Sequence, residues 1–460
     1  MSARLVESLT TTPKMAAVFS DASVLEAMLA FEVSLARAEA SLGIIPSSVV
    51  AAIESAARAE LYDAGEIATA SLRSGTVTIP FVTALTERVR AAEPTAAAYV
   101  HWGATSQDVA DTAIVLLFKQ AKEILQSDLA RLENALYHHS EQHAGTVMLG
   151  RTLLQAAVPT TFGLKAAGWL GAVRRNHARL DVAFTEALVL QFGGAAGTLA
   201  SLGDQGIAVG EALARQLSLA YPDAPWHTHR DRLASLMCML GVTTGSLGKM
   251  ARDISLLMQN EIAEAAEPAA KGRGGSSAMP HKQNPVACAL TLSAAYRVPA
   301  LVNTFLSSMV QEHERAAGGW QSEWPTTSSI VQATGLAAAS MAEVAEGLTV
   351  DAARMRANLD ATRGTIFAER ATLLLSGKLG RELASSLVER ALAESVGTCQ
   401  NFVDVLAEMP EVIEVLDAPT LRDLHLPESY LGVAERFRRN LVSSHKQKGP
   451  NPRNQEGRKS

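Results

Sequence analysis

The length and composition of the chain are those of a large folded protein. It has 460 residues, of which 48% are hydrophobic, 19% charged and 5% aromatic, and its net charge is -6. This composition excludes an intrinsically disordered chain, and the negative charge argues against nucleic-acid binding as the main role. We expect neither a signal peptide nor an apolar stretch long enough to cross a membrane.

The three cysteines, Cys238, Cys288 and Cys399, are far apart and odd in number. They form neither a disulfide framework nor a zinc-binding spacing, so a cytoplasmic location is the simplest interpretation. His139 and His143 have the best spacing for a metal, but the H-E-x-x-H pattern is absent. We therefore expect no metal and no organic cofactor.

Residues 1–107 are predicted to form an N-terminal helical domain of short helices. Residues 23–42 carry apolar side chains at helical spacing, and Gly43 follows as a candidate C-terminal cap.

Residues 108–349 are predicted to form a central bundle of long helices. Leu233, Leu240, Leu247 and Ile254 recur every seven residues, and a second series follows three positions later. This spacing predicts a helix over residues 233–262, about 45 Å long, packed nearly parallel to its neighbours. The alanine-rich segments 285–311 and 327–348 predict two more such helices, and strands of comparable length are not expected.

Residues 350–442 return to shorter helices and are predicted to form a C-terminal helical domain. Residues 443–460 are basic and contain prolines but no apolar residue. Composition favours a disordered tail here over a segment that binds nucleic acid or a partner. The sequence as a whole predicts an all-α protein.

The most informative segment lies between the first and second of these long helices and reads GGSSAMPHKQNP from Gly274 to Pro285. It resembles the signature loop of the fumarase/aspartase superfamily, whose pattern is G-S-S-x-M-P-x-K-x-N. A plain Gly/Ser/Pro linker would not need a lysine and an asparagine at set distances from the serines.

This resemblance implies an architecture and a set of roles. The superfamily has a three-domain helical subunit with a central long-helix bundle, and four subunits form a homotetramer whose active sites are shared between subunits. Within loop 272–285, Ser276 would transfer a proton at the α-carbon and Lys282 would stabilise an aci-carboxylate intermediate. Ser277, Met279 and Asn284 would contribute to substrate binding.

A second segment, HWGATSQD at residues 101–108, is similar to the first conserved region of the superfamily, built around T-S-x-D. His101, Thr105 and Ser106 would bind substrate there, since hydroxyls and backbone N–H groups at a helix start suit an anion. The alternative is a simple N-terminal cap made by Thr105 or Ser106. Both roles are compatible.

A third segment, residues 150–161, resembles the pattern G-R-T-H-x-Q-x-A-x-P-x-T and implies substrate binding by Arg151, Thr152 and Gln155. Leu153 stands where the superfamily usually has histidine, and Ala289 stands where that histidine's glutamate partner is usual. The histidine and the glutamate that usually act together as a second acid are therefore both missing. A carboxylate leaving group or nucleophile needs no such acid, because its conjugate acid has a pKa of about 4.

The chain is most similar to the lactone-forming cycloisomerases of the superfamily. The segments 226–232, 192–197 and 311–315 carry this likeness, and Arg315 is a further candidate for substrate binding. The resemblance implies addition of a carboxylate to a double bond of a small polycarboxylate, with no nucleic-acid or membrane partner. Three alternatives are open: an adenylosuccinate-lyase-type enzyme, a lyase that expels a weak base such as nitrite, and a non-catalytic relative.

Overall fold

The structure, a computed structural model, describes residues 5–269, 274–275, 278–279 and 281–443. Helices make up most of this part of the chain, and its strands are short, which confirms the predicted all-α class. Ser276, Ser277 and the predicted tail from residue 444 onward lie outside the described residues.

The N-terminal region contains the helices α1 (Pro13–Val18), α2 (Asp21–Ser41), α3 (Val50–Ala56), α4 (Ala64–Ser74) and α5 (Thr78–Ala92). The middle of the chain contains α6 (Ser106–Gln142), β1 (Val147–Thr152), β2 (Gln155–Thr161), α7 (Phe162–Ala187), α8 (Gly206–Leu217), α9 (Asp231–Leu257), β3 (Ala265–Ala266), α10 (Val286–Ser308), α11 (Gly319–Gly347) and β4 (Thr349–Val350). The C-terminal region contains α12 (Ala352–Asp360), α13 (Ala368–Leu379), α14 (Arg381–Thr398), α15 (Phe402–Glu408), α16 (Pro410–Ile413), α17 (Ala418–Leu424) and α18 (Ala434–Ser443).

By compactness the described residues fall into two units. The first draws on Met1–Ala130, Arg175–Ala251 and Ala287–Met341, and the second on Arg131–Arg174, Arg252–Val286 and Ala342–Ser460. The core of the second unit packs buried residues of β1 against buried residues of α12–α17. The division into three domains made from the sequence stays a prediction.

The heptad pattern of α9 is confirmed. Leu233, Leu240, Leu247 and Ile254 are all buried, as is the second series three positions later. The helix begins at Asp231 and ends at Leu257, five residues before the predicted end. In the first unit, α9 contacts α11 through a hydrogen bond of 2.8 Å between the hydroxyls of Thr244 and Thr334.

Helix α2 also matches its prediction, and it shows how short sequence signals set a boundary. The Ser20 hydroxyl accepts a hydrogen bond from the Ser23 N–H at its start. Gly43, just past its end, has a φ of 74°, a left-handed conformation that glycine adopts without strain.

The predicted start of α11 at residue 327 is wrong, because the helix begins at Gly319 and contains Pro325. A proline inside a helix costs roughly 3 kcal/mol, which is why the sequence favoured a later start. The early turns are held by buried tertiary contacts instead. The Trp320 indole N–H donates to Asp111 over 3.1 Å, and Glu323 pairs with Arg230.

The hairpin β1–β2 was not predicted. Its strands are antiparallel, with Thr152 opposite Gln155, so that Leu153 and Leu154 form a two-residue turn. Both leucines have left-handed backbone angles, φ 50° and 65°. Such turns usually carry Asn-Gly or Asp-Gly, and Leu-Leu is not a turn signal.

Helix α10 corrects the expectation that no apolar stretch of membrane-spanning length is present. Among the described residues it is long and apolar enough to cross a membrane by length and composition, and 28% of its most apolar window is buried. Exposed large hydrophobic side chains lie at its middle and near its end, since Tyr296 is 67% and Leu306 42% exposed.

Candidate active site

Asp108 organises the first group of predicted residues, at the start of α6. Its fully buried carboxylate accepts hydrogen bonds from the backbone N–H groups of Gly193 and Gly194, at 3.0 and 2.9 Å. It also accepts one from the Thr105 N–H at 3.0 Å and contacts His227 Nε2 at 2.7 Å. The Asp108 carboxylate thus fixes three segments relative to one another: the T-S-x-D turn, the glycine pair Gly193–Gly194 and the loop that carries His227.

The glycine pair is needed for this close approach. A Cβ at Gly193 would lie 2.7 Å from Pro225 and 2.8 Å from His227. Gly194 has a φ of 68°, and a Cβ there would lie 3.0 Å from the Gly103 carbonyl oxygen. Any larger residue would therefore separate the two loops.

Thr105 and Ser106 lie half-buried at this turn. The Ser106 carbonyl accepts a hydrogen bond from the Thr78 hydroxyl at 3.0 Å. Among the described residues, the hydroxyls of Thr105 and Ser106 make no hydrogen bond, so both are available to a ligand. The N-terminal end of the long helix α6 adds partial positive charge at the same place.

His101 lies in the same segment and is bound to a buried acid that the sequence did not indicate. Its Nδ1 is 2.6 Å from Glu32 Oε1, and the Glu32 side chain is only 1% exposed. Burial acts to lower the pKa of His101, but the Glu32 carboxylate and Asp108 outweigh it, so that the pKa lies above its ordinary value.

Arg315 belongs to this first group because it contacts Gln107 and the loop that carries Gly194 and Ala195. Its Nε donates to Gln107 Oε1 at 3.2 Å, and one terminal nitrogen lies 3.2 Å from the Ala195 carbonyl oxygen. These contacts are with neutral oxygens, so the positive charge of Arg315 is not paired by them. A ligand carboxylate would be a stronger partner.

A buried ionic network of Arg230, Asp111 and Glu323 supports the first group. Arg230 donates to both carboxylate oxygens of Asp111, at 2.7 and 3.1 Å, and to Glu323 at 3.0 Å. All three side chains are at most 2% exposed. The Arg230 guanidinium also lies 4.7 Å from the centre of the Trp226 ring. Burial acts to lower the pKa of Arg230, and the two carboxylates raise it overall, so this residue stays charged.

Arg151 belongs to a second group, at the hairpin. Its two terminal nitrogens donate to the two oxygens of Glu264, at 2.9 and 2.6 Å, in a bidentate pair. Glu264 is fully buried and also accepts from the Asn358 amide at 2.8 Å. Glu264 therefore anchors the Arg151 side chain. A substrate could bind only to those N–H donors of Arg151 that the pair with Glu264 does not use.

The tip of the hairpin projects away from the rest of its own chain. Leu153 is 97% and Leu154 76% exposed, and the flanking Thr152 and Gln155 are exposed as well. Position 153, where the superfamily pattern has histidine, thus presents an apolar side chain. Ala289, at the position of the usual glutamate, is exposed on α10.

The signature loop forms the third group, of which only part is described. The Asn284 N–H donates to the Gly274 carbonyl at 2.8 Å, and Gly275 and Gln283 form an isolated bridge. These contacts close the base of the loop, and Gly274 has a φ of 68° there. At the other end the Lys282 N–H donates to the Met279 carbonyl at 3.0 Å. Lys282 is exposed and Asn284 half-buried.

The structure thus gathers the predicted residues into three groups, and Ser276 and Ser277 lie outside the described residues. Sequence reasoning missed Glu32, Glu264 and Arg230 as supports. Asp108 could have been found as the acid of T-S-x-D. In the described part of the chain, no group of three or more histidine, cysteine or acidic side chains has the geometry to hold a metal ion.

Comparison with known proteins identifies relatives over nearly the whole chain. The profile of a lyase family matches residues 7–300. A 3-carboxy-cis,cis-muconate cycloisomerase from Bradyrhizobium diazoefficiens is 46% identical over 440 residues, covering 96% of this chain and 98% of that protein. A nitrosuccinate lyase from Streptomyces davaonensis is 43% identical, covering 92% and 90%. The crystal structure of the 3-carboxy-cis,cis-muconate lactonizing enzyme from Pseudomonas putida superposes with a TM-score of 0.91 at 45% identity, covering 96% and 99%.

Proposed function

The chain belongs to the lyase family of the fumarase/aspartase superfamily, and we propose that it interconverts 3-carboxy-cis,cis-muconate and a carboxymuconolactone. The observation that carries this proposal is the likeness in sequence and fold to proteins of that activity, over 96% of the chain. The alternative of a non-catalytic relative would not account for the retained lysine, asparagine and serines of the loop.

In the lactone-forming direction, one carboxylate of the substrate attacks a carbon of the double bond. The electron pair of that bond moves onto the conjugated carboxylate, which becomes an enediolate. Lys282 would stabilise this charge, and preorganised groups of this kind contribute about 3–4 kcal/mol each to transition-state stabilisation. Its exposed ammonium, on a loop closed at its base by Gly274 and Asn284, is consistent with this role.

Ser276 would complete the reaction by delivering a proton to the α-carbon, and in the reverse direction its alkoxide would remove that proton. A free serine hydroxyl is a very weak base. The Lys282 charge and the N–H donors of the loop would have to lower its pKa. Ser277, Met279 and Asn284 would shape the loop and contact the substrate.

The remaining carboxylates of the substrate would bind to the other two groups. The free hydroxyls of Thr105 and Ser106, the start of α6, His101 and Arg315 offer donors and positive charge in the first group. Arg151, Thr152 and Gln155 would contribute from the hairpin. Arg151 would do so with donors that its pair with Glu264 leaves unused.

The apolar hairpin tip supports a reaction that needs no second acid. A carboxylate that attacks or leaves is already a stable anion, so a proton donor at position 153 would bring no gain. We predict that Leu153→His does not raise the rate of lactone formation. A rise of tenfold or more, measured as kcat/KM, would contradict the argument from the leaving group.

We propose further that the protein is a cytoplasmic homotetramer with shared active sites and no organic cofactor. Helix α10 supports the assembly, because its exposed Tyr296 and Leu306, with the 86% exposed Val310 just beyond, form apolar surface that another subunit would cover. Sedimentation or mass photometry of the purified chain tests this, and a monomer would refute it.

One assay tests the reaction itself. Purified protein is mixed with 3-carboxy-cis,cis-muconate, and loss of its ultraviolet absorbance is followed. We expect turnover that Ser276→Ala and Lys282→Met each reduce by at least about a hundredfold, with the oligomer intact. Absence of turnover, with turnover of adenylosuccinate instead, would refute the proposal.

A lyase that expels nitrite from nitrosuccinate is the second candidate. It is supported by the 43% identity to the Streptomyces davaonensis protein and by the same lack of a second acid. Release of nitrite from nitrosuccinate, without loss of carboxymuconate absorbance, would favour this function over the first.

A further inference from the structure

Glu32, which is buried on helix α2, pairs with the half-buried His101 in the segment that precedes α6. The two atoms in contact, Glu32 Oε1 and His101 Nδ1, are 2.6 Å apart. The Glu32 side chain is 1% exposed and the His101 side chain 18% exposed. A carboxylate so deeply buried needs a partner, and a charged hydrogen bond of this length is a strong one.

The backbone at His101 is strained, and the pair compensates for the strain. Its φ of 59° lies in the left-handed region, which costs a residue with a side chain about 1–2 kcal/mol. A residue held in such a conformation generally has a contact that fixes it there. The only hydrogen bond of the His101 ring within the described part of the chain is the one to Glu32.

The charged groups around the ring favour its protonated form. Glu32 faces it from α2 and Asp108 faces it from α6, while Asp108 itself contacts His227. Glu39, also on α2, faces Glu32, but burial and the charge of Glu32 raise the pKa of Glu39 to about 9, so it stays neutral at pH 7. The charged groups that act on the His101 ring are therefore the two carboxylates of Glu32 and Asp108, and both favour the protonated ring.

With Nδ1 bound to Glu32, the second ring nitrogen has no hydrogen-bond partner among the described residues and can take one from a ligand. His101 lies close in sequence to Thr105 and Ser106, whose hydroxyls are available at the start of α6. We propose that Glu32 is a positioning residue that fixes the orientation of the His101 ring and keeps it as an imidazolium, so that its Nε2–H binds a substrate carboxylate. This inference rests on the polycarboxylate substrate of the proposed function.

The first test is made on the free protein by NMR titration of the histidine rings, with the His101 signal assigned from His101→Asn. Glu32→Gln keeps the shape and an acceptor oxygen but removes the charge. We expect it to lower the pKa of His101 by about one unit or more, a tenfold or larger change in proton affinity. Glu39→Gln is the matched control, since it makes the same change on the same helix at a buried acid that is already neutral. It should leave the His101 titration unchanged.

The second test measures binding of tricarballylate, a stable tricarboxylate, by calorimetry between pH 5.5 and 8.5. Wild type and Glu39→Gln should lose affinity as pH rises through the raised pKa of His101. Glu32→Gln should lose it at lower pH and bind about tenfold more weakly at pH 7. His101→Asn should lack this pH-dependent loss of affinity. This variant provides the test if Glu32→Gln does not fold.

The outcomes separate this inference from the proposed function. If Glu32→Gln changes neither the His101 titration nor the pH dependence of binding, the inference is overturned. It is also overturned if the titration shifts while binding does not, or if wild type does not bind tricarballylate. Binding that shifts as expected, in a protein that does not turn over 3-carboxy-cis,cis-muconate, would uphold the role of Glu32 and refute the proposed reaction.

Discussion

Glu39 provides a quantitative prediction about stability. It lies on α2, is fully buried, and neither carboxylate oxygen has a hydrogen-bond partner among the described residues. Burial, and after it the charge of Glu32, raises its pKa from 4.5 to about 9. The folded chain therefore holds a proton that the unfolded chain releases over this range of pH.

The sign and the size of the effect follow from linkage between protonation and folding. The stabilisation from the retained proton is fully present below pH 4.5 and is lost as pH rises towards 9. Between pH 4.5 and pH 7 the loss is about 3 kcal/mol per chain, at ~1.4 kcal/mol for each pH unit. Glutamine has a similar shape and cannot ionise. The Glu39→Gln variant should therefore lack this loss.

The assay is unfolding by guanidinium chloride at pH 5, 6, 7 and 8, at one fixed protein concentration. From pH 5 to pH 7 the free energy of unfolding of Glu39→Gln should rise relative to that of wild type by about 2.5 kcal/mol, and this difference should go on rising at pH 8. Glu26→Gln, at an exposed position of the same helix, is the control and should run parallel to wild type. Parallel curves for wild type and Glu39→Gln would refute the reasoning.

Two further pairs of variants test the loop and the buried network. Gly274→Ala should lower kcat/KM for 3-carboxy-cis,cis-muconate by about tenfold, because φ is 68° and a Cβ would lie 2.7 Å from the Asn284 carbonyl oxygen. Gly275→Ala, where a Cβ has open space, should change it little, and equal losses would contradict this account of the loop base. Arg230→Met should cost about 3–5 kcal/mol in unfolding experiments by leaving two buried carboxylates unpaired, whereas Arg356→Met, at an exposed pair, should cost less than about 1 kcal/mol. Similar costs for the two arginines would show that the buried network does not have the assigned weight.

Local patterns in the sequence predicted the helices well. The buried series of α9 and the caps of α2 depend on residues within one or two turns, and those are visible in a linear sequence. The start of α11 was predicted wrongly, because its early turns are held by Asp111 and Arg230, which are distant in sequence. A proline penalty is a local quantity, and it was outweighed by contacts that only the folded chain makes.

The candidate site likewise has a part that local motifs predicted and a part that they did not. Thr105, Ser106 and Lys282 could be proposed as site residues because they belong to motifs of contiguous residues. Glu32 and Glu264 were not found, since each acts on a residue far away in the chain, and an acid inside a helix or just before a short strand has no distinctive pattern. The hairpin was missed for a third reason: a Leu-Leu turn carries none of the residues that normally mark one.

The exposed tip of this hairpin has a consequence for how the protein can evolve. Leu153 and Leu154 contribute little to the packing of their own chain, so other side chains can replace them at small cost to folding. Asn or Gly would even suit the left-handed backbone better. In the proposed function the hairpin contributes to substrate binding, so selection at these two positions is free to respond to the substrate while the scaffold stays unchanged.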